Sequence, residues 1–246
     1  DLGIDPVAEL AGLARSLDTT LHLHLAETQE ESADLERKFG QSITRILYDN
    51  GVFDGRVLAA HSVWVDRSDI ELMAEGEVAV AHCPVSNMKL GAGIAPLVDL
   101  RAAGVTVGYG TDGPASNDSL DLWEEVKIAP LLARVKALES TAITASETLA
   151  MATREGAAAV GLHDTGSLEV GNAADMIRID LEQSTFVPVT SPDELIAHLA
   201  WSGSNRLVTD VWVAGKQVVV GGEVQTVDTE RARAQVQERA RRLAGS

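Results

Sequence analysis

Four short apolar runs, at 20–25, 57–63, 78–83 and 105–110, are separated by segments whose apolar residues recur at helical spacing. This alternation constrains the chain more than any other feature. Parallel neighbours need a crossover long enough for a helix, and strands buried on both faces read as continuous apolar runs. The helical segments 5–17, 30–39, 42–50, 67–75, 95–103 and 120–138 supply those crossovers. The sequence therefore predicts an α/β architecture with a parallel sheet. Each run closes on a polar turn, and in a parallel barrel that carboxyl-terminal end is where chemistry is displayed.

Beyond residue 145 the pattern changes. Segment 146–160 is alanine-rich and reads as one helix stopped at Gly161. Segments 166–180 and 208–227 are β-rich with glycine turns, and 192–201 is one more helix between them. From 230 to 242 acids and arginines interleave at helical spacing, as on a solvated helix face. The expected division is 1–163 for the αβ portion, 164–227 for a small β portion with an inserted helix, and 228–246 for a terminal helix.

Composition narrows the function classes. Of 246 residues, 20 are basic and 37 acidic, a net charge of −17 that repels nucleic-acid phosphates and anionic membrane surfaces. No apolar run is long enough for a membrane span and no leader pattern opens the chain, so a cytoplasmic home is expected. The single cysteine, Cys83, excludes a disulfide framework, a CxxC metal site and the deaminases that hold zinc through paired cysteines.

Three strand ends carry residues suited to metal and proton chemistry. In Leu21-His22-Leu23-His24-Leu25-Ala26-Glu27, alternation puts both histidines on one face, with His24 nearer the carboxyl end and His22 a layer deeper in a structural place. Glu27, three residues on, is spaced to swing back over that end as a general acid and base. His61 ends the second run, with Val57 and Ala59 on its face leaving room around it. In the last run Thr106, Gly108, Gly110 and Asp112 share a face, which strips bulk from below the aspartate and suggests space for a metal and a substrate. His82 lines the pocket or is structural, the stretch after it reads as a polar loop, and His163 and His198 read as structural. Trp123 reads as core and Glu155 as solvated.

His24-Leu-Ala-Glu27, Ala-Ala-His61, AHCPVSNMKLGAGIAP (81–96), GTDGPASND (110–118) and the tail GSLEVGNAADMIRID with VWVAGK together resemble the amidohydrolase superfamily. The closest resemblance is to the cytosine deaminase-like branch, which includes 5-methylthioadenosine/S-adenosylhomocysteine deaminases, guanine-type deaminases and triazine hydrolases. The resemblance implies a TIM-like (β/α)8 barrel of the metal-dependent hydrolase type, of which this chain carries the C-terminal half, strands five to eight, followed by part of a small β-sandwich. It makes His24 and Asp112 ligands of one Zn²⁺, with iron or another divalent metal also fitting. Glu27, His61 and Asp112 become the catalytic residues, and Glu27 and Asp112 the substrate contacts.

The resemblance also implies a reaction, the hydrolytic deamination of an aminopurine nucleoside of the methylthioadenosine or S-adenosylhomocysteine type. A guanine or 8-oxoguanine deaminase and a triazine chloro- or aminohydrolase stand as alternatives. The family's first-strand HxH pair has no counterpart here, so a third reading is a silent fragment or complementing subunit. The expected partner is a small-molecule substrate, without nucleic acid or membrane, and both a homo-oligomer and association with the missing N-terminal half stay open.

Overall fold

Helix α1 (Ile4–Ser16) ends at Leu17, the chain reverses through Asp18 at φ +50°, and strand β1 (Leu21–Leu25) begins three residues later. The computed structural model describes residues 3–245. Asp1, Leu2 and Ser246, which the expected αβ portion and terminal helix include, lie outside the described residues.

The αβ alternation then follows the sequence pattern closely. After β1 come α2 (Gln29–Phe39) and α3 (Ile43–Asp49), then β2 (Val57–His61), α4 (Arg67–Glu75) and β3 (Ala79–His82). Next are α5 (Pro84–Lys89), α6 (Leu97–Ala102), β4 (Val107–Tyr109), α7 (Pro114–Asn117) and α8 (Leu122–Ala137). Local chemistry sets these boundaries. The side chains of Thr28, Ser42 and Asp66 accept the N–H groups of Glu31, Arg45 and Asp69 at the starts of α2, α3 and α4, and Gly40 in the left-handed region closes α2.

The four strands form one parallel sheet in the order β1-β2-β3-β4, so β1 and β4 are its edges. One face carries Leu25, Val57, Ala59, Val80 and Val107 into a core shared with Leu47, Ile70, Met73, Leu100 and Ala129 of the crossover helices. The other face carries His22, His24, Leu58, Ala79, Ala81 and Gly108, by the pairing register. On β1 both histidines of that face are exposed.

Helices α9 (Ala145–Ala152) and α10 (Arg154–Ala159) replace the single helix expected over 146–160. The chain breaks at Thr153, whose φ of −125° and ψ of −102° are not helical. The break turns α10 onto the second face of the sheet, where Ala159 joins Leu58 and Ala79. Glu155 is correspondingly not solvated: its carboxylate pairs with Arg101 at 2.5 Å and is only 26% exposed.

The rest of the chain forms an antiparallel sheet of β5 (Met176–Ile179), β6 (Val208–Val213), β7 (Lys216–Val220) and β8 (Glu223–Val224), with α11 (Pro192–Ser202) between the first two strands. Only four residues of the β-rich segment 166–180 are strand, because glycines and a turn closed by Asn172 N–H on Glu169 O come before them. Trp123, expected in the core, is half-buried and donates its indole N–H to Leu199 O of α11 at 3.0 Å. Helix α12 (Thr229–Ala244) follows, with no buried residue. Among the described residues no helix is long and apolar enough to cross a membrane.

Candidate metal and catalytic site

The carboxyl ends of β1 and β2 are laced together by Ser62 N donating to Leu25 O and by Val63 N and Trp64 N both donating to Ala26 O. To make these bonds the chain turns sharply. Ala26, His61 and Ser62 all have positive φ, at 48°, 72° and 49°. Non-glycine residues rarely adopt this region, and such conformations persist only where surrounding structure over-determines them. The turn corrects the alternation argument for His61. Val57 and Ala59 point into the helix-facing core, and His61 is redirected away from them by its backbone.

Redirection brings His61 against three of the residues singled out from the sequence. Its Nε2 lies 3.7 Å from Glu27 Oε2 and 4.0 Å from Asp112 Oδ2, and its ring centroid is 5.3 Å from that of His24. One ligand atom each from His24, His61 and Asp112 lie within 4.8 Å of one another. His61, expected as a catalytic residue and not as a ligand, thus lies directly beside the two expected ligands.

Two consecutive residues of α5 hold this group. Asn87 Oδ1 lies 2.9 Å from His61 Nδ1, and Ser86 Oγ donates to Asp112 Oδ2 at 2.8 Å. With the asparagine oxygen facing the ring, Nδ1 carries the proton and Nε2 presents its lone pair to the cluster, the tautomer used when a histidine binds a metal. Asp112, at φ +60°, also accepts Gly113 N–H at 2.7 Å. Burial works against its charge, but the Ser86 hydroxyl, the Gly113 N–H and the nearby His61 outweigh it and hold the carboxyl below its ordinary range.

Two imidazoles and an ionised carboxylate, one imidazole already fixed through its far nitrogen, fit a divalent metal. His22, exposed on the same face of β1, is not part of the group. His82 is buried and its pKa is pushed down to about 4, by burial first and His61 second, so it is neutral around pH 7. Cys83 is buried and its thiol is pushed up to about 12, by burial and then by the carboxylates of Glu125 and Asp112. His198 Nε2 lies 2.9 Å from Pro188 O, away from this group.

Sequence reasoning assigns no role to Ser86, Asn87, Asn117 or Glu125. The segment after Cys83, expected as a loop, is the helix α5, started by Pro84 in its first turn. Its serine and asparagine face the histidine and aspartate for that reason. A proline directly after a strand and before four residues of mixed polarity was the available signal.

The amidohydrolase family model matches residues 4–218. The chain belongs to the amidohydrolase family. It is 41% identical over 235 residues to a 5-methylthioadenosine/S-adenosylhomocysteine deaminase of Pelotomaculum thermopropionicum and 40% identical over 234 residues to one of Moorella thermoacetica. These matches cover 96% and 95% of this amidohydrolase chain and 54% of each relative. The chain thus spans about half the length of the curated relatives it matches.

Among solved structures it superposes on a zinc-bound adenosine deaminase from Xanthomonas campestris with a TM-score of 0.94 and 36% identity, over 99% of this chain and 55% of that one. It also superposes on a zinc-bound atrazine chlorohydrolase from Arthrobacter aurescens with a TM-score of 0.87 and 31% identity, over 96% and 52%. An amidohydrolase half-barrel with one open sheet agrees with the strands expected from the sequence.

Proposed function

We propose that this amidohydrolase chain carries the catalytic half of a zinc-dependent deaminase acting on an aminopurine nucleoside of the methylthioadenosine or S-adenosylhomocysteine type, with release of ammonia. The observation that carries it is the convergence of Glu27, His61 and Asp112 through His61 Nε2, with His24 beside them. The names of the curated relatives set the substrate class. His24 and Asp112 would hold the metal from this half, with His61 Nε2 beside them facing the water, and the part of the relatives that this chain does not span would complete the metal's shell. Association with that part, in a cytoplasmic setting, belongs to the same reading.

When bound, the metal supplies a Lewis acid that makes water a nucleophile near neutral pH. The protein's own groups move the protons. Asp112 accepts one from the attacking water while His61 Nε2 accepts a hydrogen bond from it. Glu27 protonates the ring nitrogen beside the electrophilic carbon, which then bonds to the water oxygen. The proton on Asp112 passes to the amino group, the C–N bond breaks, and ammonia leaves. The hydroxyl proton of the new C–O group returns to Glu27 as the carbonyl forms, which balances the exchange of an amino group for an oxygen.

The same proton inventory serves a triazine ring, and the likeness to an atrazine chlorohydrolase favours this as the second reading. The deciding experiment is ammonia release by the whole protein from methylthioadenosine, S-adenosylhomocysteine, adenosine, guanine and amino-triazines. Turnover of the adenosine thioethers is expected. Exclusive activity on guanine or triazines overturns the substrate class, and activity only on non-aromatic amides overturns the mechanism as well.

A further inference from the structure

Glu125 is an acidic side chain with no exposure to solvent, in the first turn of α8, and it lies outside the proposed reaction. Its two oxygens are both used. Oε2 accepts the backbone N–H of Val85 at 3.1 Å, and Oε1 accepts Asn117 Nδ2 at 2.8 Å. These donors belong to the two segments that hold the metal-binding group. Val85 immediately precedes Ser86 and Asn87, which engage Asp112 and His61. Asn117 ends α7, the short helix that begins two residues after Asp112.

The polarity of this bridge is fixed on both sides. Val85 offers a main-chain N–H, which can only donate. Asn117 Oδ1 accepts from Leu120 N at 2.8 Å and from Ser119 Oγ at 3.0 Å, so its NH₂ group must face Glu125. Glu125 therefore meets two donors and must accept from both. Burial opposes its charge and pushes its pKa up to about 7, a cost tolerated in a group that ties two segments together.

We infer that Glu125, acting with Asn117, is a positioning residue of the metal site, clamping α5 to the segment after Asp112 so that Ser86 and Asn87 hold Asp112 and fix the His61 tautomer. This inference rests on the metal reading only for its second measurement. The geometry also dictates how to break and remake the clamp. In Glu125→Gln one oxygen still serves Val85, but the introduced amide NH₂ meets the NH₂ of Asn117, donor against donor. In Asn117→Asp two carboxylates meet with no proton between them unless one is taken up. With both substitutions, the introduced amide donates to the introduced carboxylate, the remaining amide oxygen serves Val85, and the second carboxylate oxygen still accepts from Leu120 and Ser119. Every hydrogen bond is restored with the polarity across the pair reversed.

The test is made on the whole protein in three variants, Glu125→Gln, Asn117→Asp and the double substitution. The first measurement needs no metal: nitrogen spectra of the imidazoles, with His61 identified by its loss in His61→Gln. In the metal-free wild type and the double variant His61 is expected to hold its proton at Nδ1, and in each single variant to mix tautomers. The second is zinc affinity, expected to fall about 10- to 100-fold in each single variant, the usual effect of disturbing groups that orient ligands, and to return in the double. Should Glu125→Gln fail to fold, Asn117→Asp and the double decide the matter. Folded single variants with the wild-type tautomer and affinity overturn the inference, as does a double variant no better than the singles. If His24→Ala leaves zinc affinity unchanged, the metal reading fails, whereas the tautomer measurement still decides the role of Glu125.

Discussion

Gly108 of β4 and Gly156 of α10 face each other so closely that a Cβ built on Gly108 would sit 2.7 Å from Gly156 Cα. Neither residue needs its glycine for a left-handed backbone, so the pair exists for close packing. Gly108→Ala must push α10 off the sheet and is expected to cost about 1–3 kcal/mol, the range for overpacking. Gly113→Ala is the control. Gly113 has φ −80° with nothing within 4 Å of its added methyl, so its stability should change little or rise slightly. Urea denaturation of both variants checks this, and equal midpoints would mean that α10 yields freely.

That pair also marks where the sequence is and is not legible. The four strands, their crossovers and the residues Glu27, His61 and Asp112 can be read because apolar periodicity and strand-end polarity are local properties. The glycines below Asp112 suggest space for a substrate, yet protein fills it: α10 lies against Gly108, and Cys83 Sγ would be 3.0 Å from a Cβ on Gly110. A missing side chain shows that something approaches, and only the tertiary packing shows what. His61 lies on the expected strand, but alternation misdirects its side chain because the backbone abandons that pattern at φ +72°. Glu125 carries no signal at all, since one glutamate among the acids of a helix looks the same whether it faces water or a backbone amide 40 residues away.

Glu27→Gln removes the proposed ring-protonating group while leaving His24, His61 and Asp112 in place. Metal content should be kept and turnover reduced by roughly 10²-fold or more, the scale of general acid and base catalysis. His24→Ala and Asp112→Ala should instead lose metal and activity together. Metal analysis beside initial rates separates the two patterns, and near wild-type turnover in Glu27→Gln would remove that residue from the mechanism.

Cys83 should be unreactive in the folded protein. With its thiol pushed up to about 12, the thiolate at pH 9 is scarcer than in an ordinary thiol by on the order of several hundredfold, and burial blocks access as well. Timed reaction with a disulfide reagent at pH 9, with and without denaturant, measures this. A thiol titrating at once in the native protein would show that the Cys83 environment opens readily.

Two buried groups impose opposite pH dependences on stability over almost the same window. The folded-state pKa of His82 falls from 6.5 to about 4, so between these values the unfolded chain binds more protons and stability is lost as pH falls, by up to about 3 kcal/mol. The pKa of Glu125 rises from 4.5 to about 7, so there the folded chain binds more protons and stability is lost as pH rises. In the wild type the two slopes oppose each other between about pH 4.5 and 6.5. Neutral substitutions expose them separately. Glu125→Gln should leave a protein whose urea midpoint climbs with pH across that window, through the His82 contribution, and His82→Gln one whose midpoint declines, through Glu125. The sign of each slope is the readout, because the hydrogen bond lost in Glu125→Gln shifts the whole curve without tilting it. Parallel curves for the two variants would mean that neither group titrates as its burial requires.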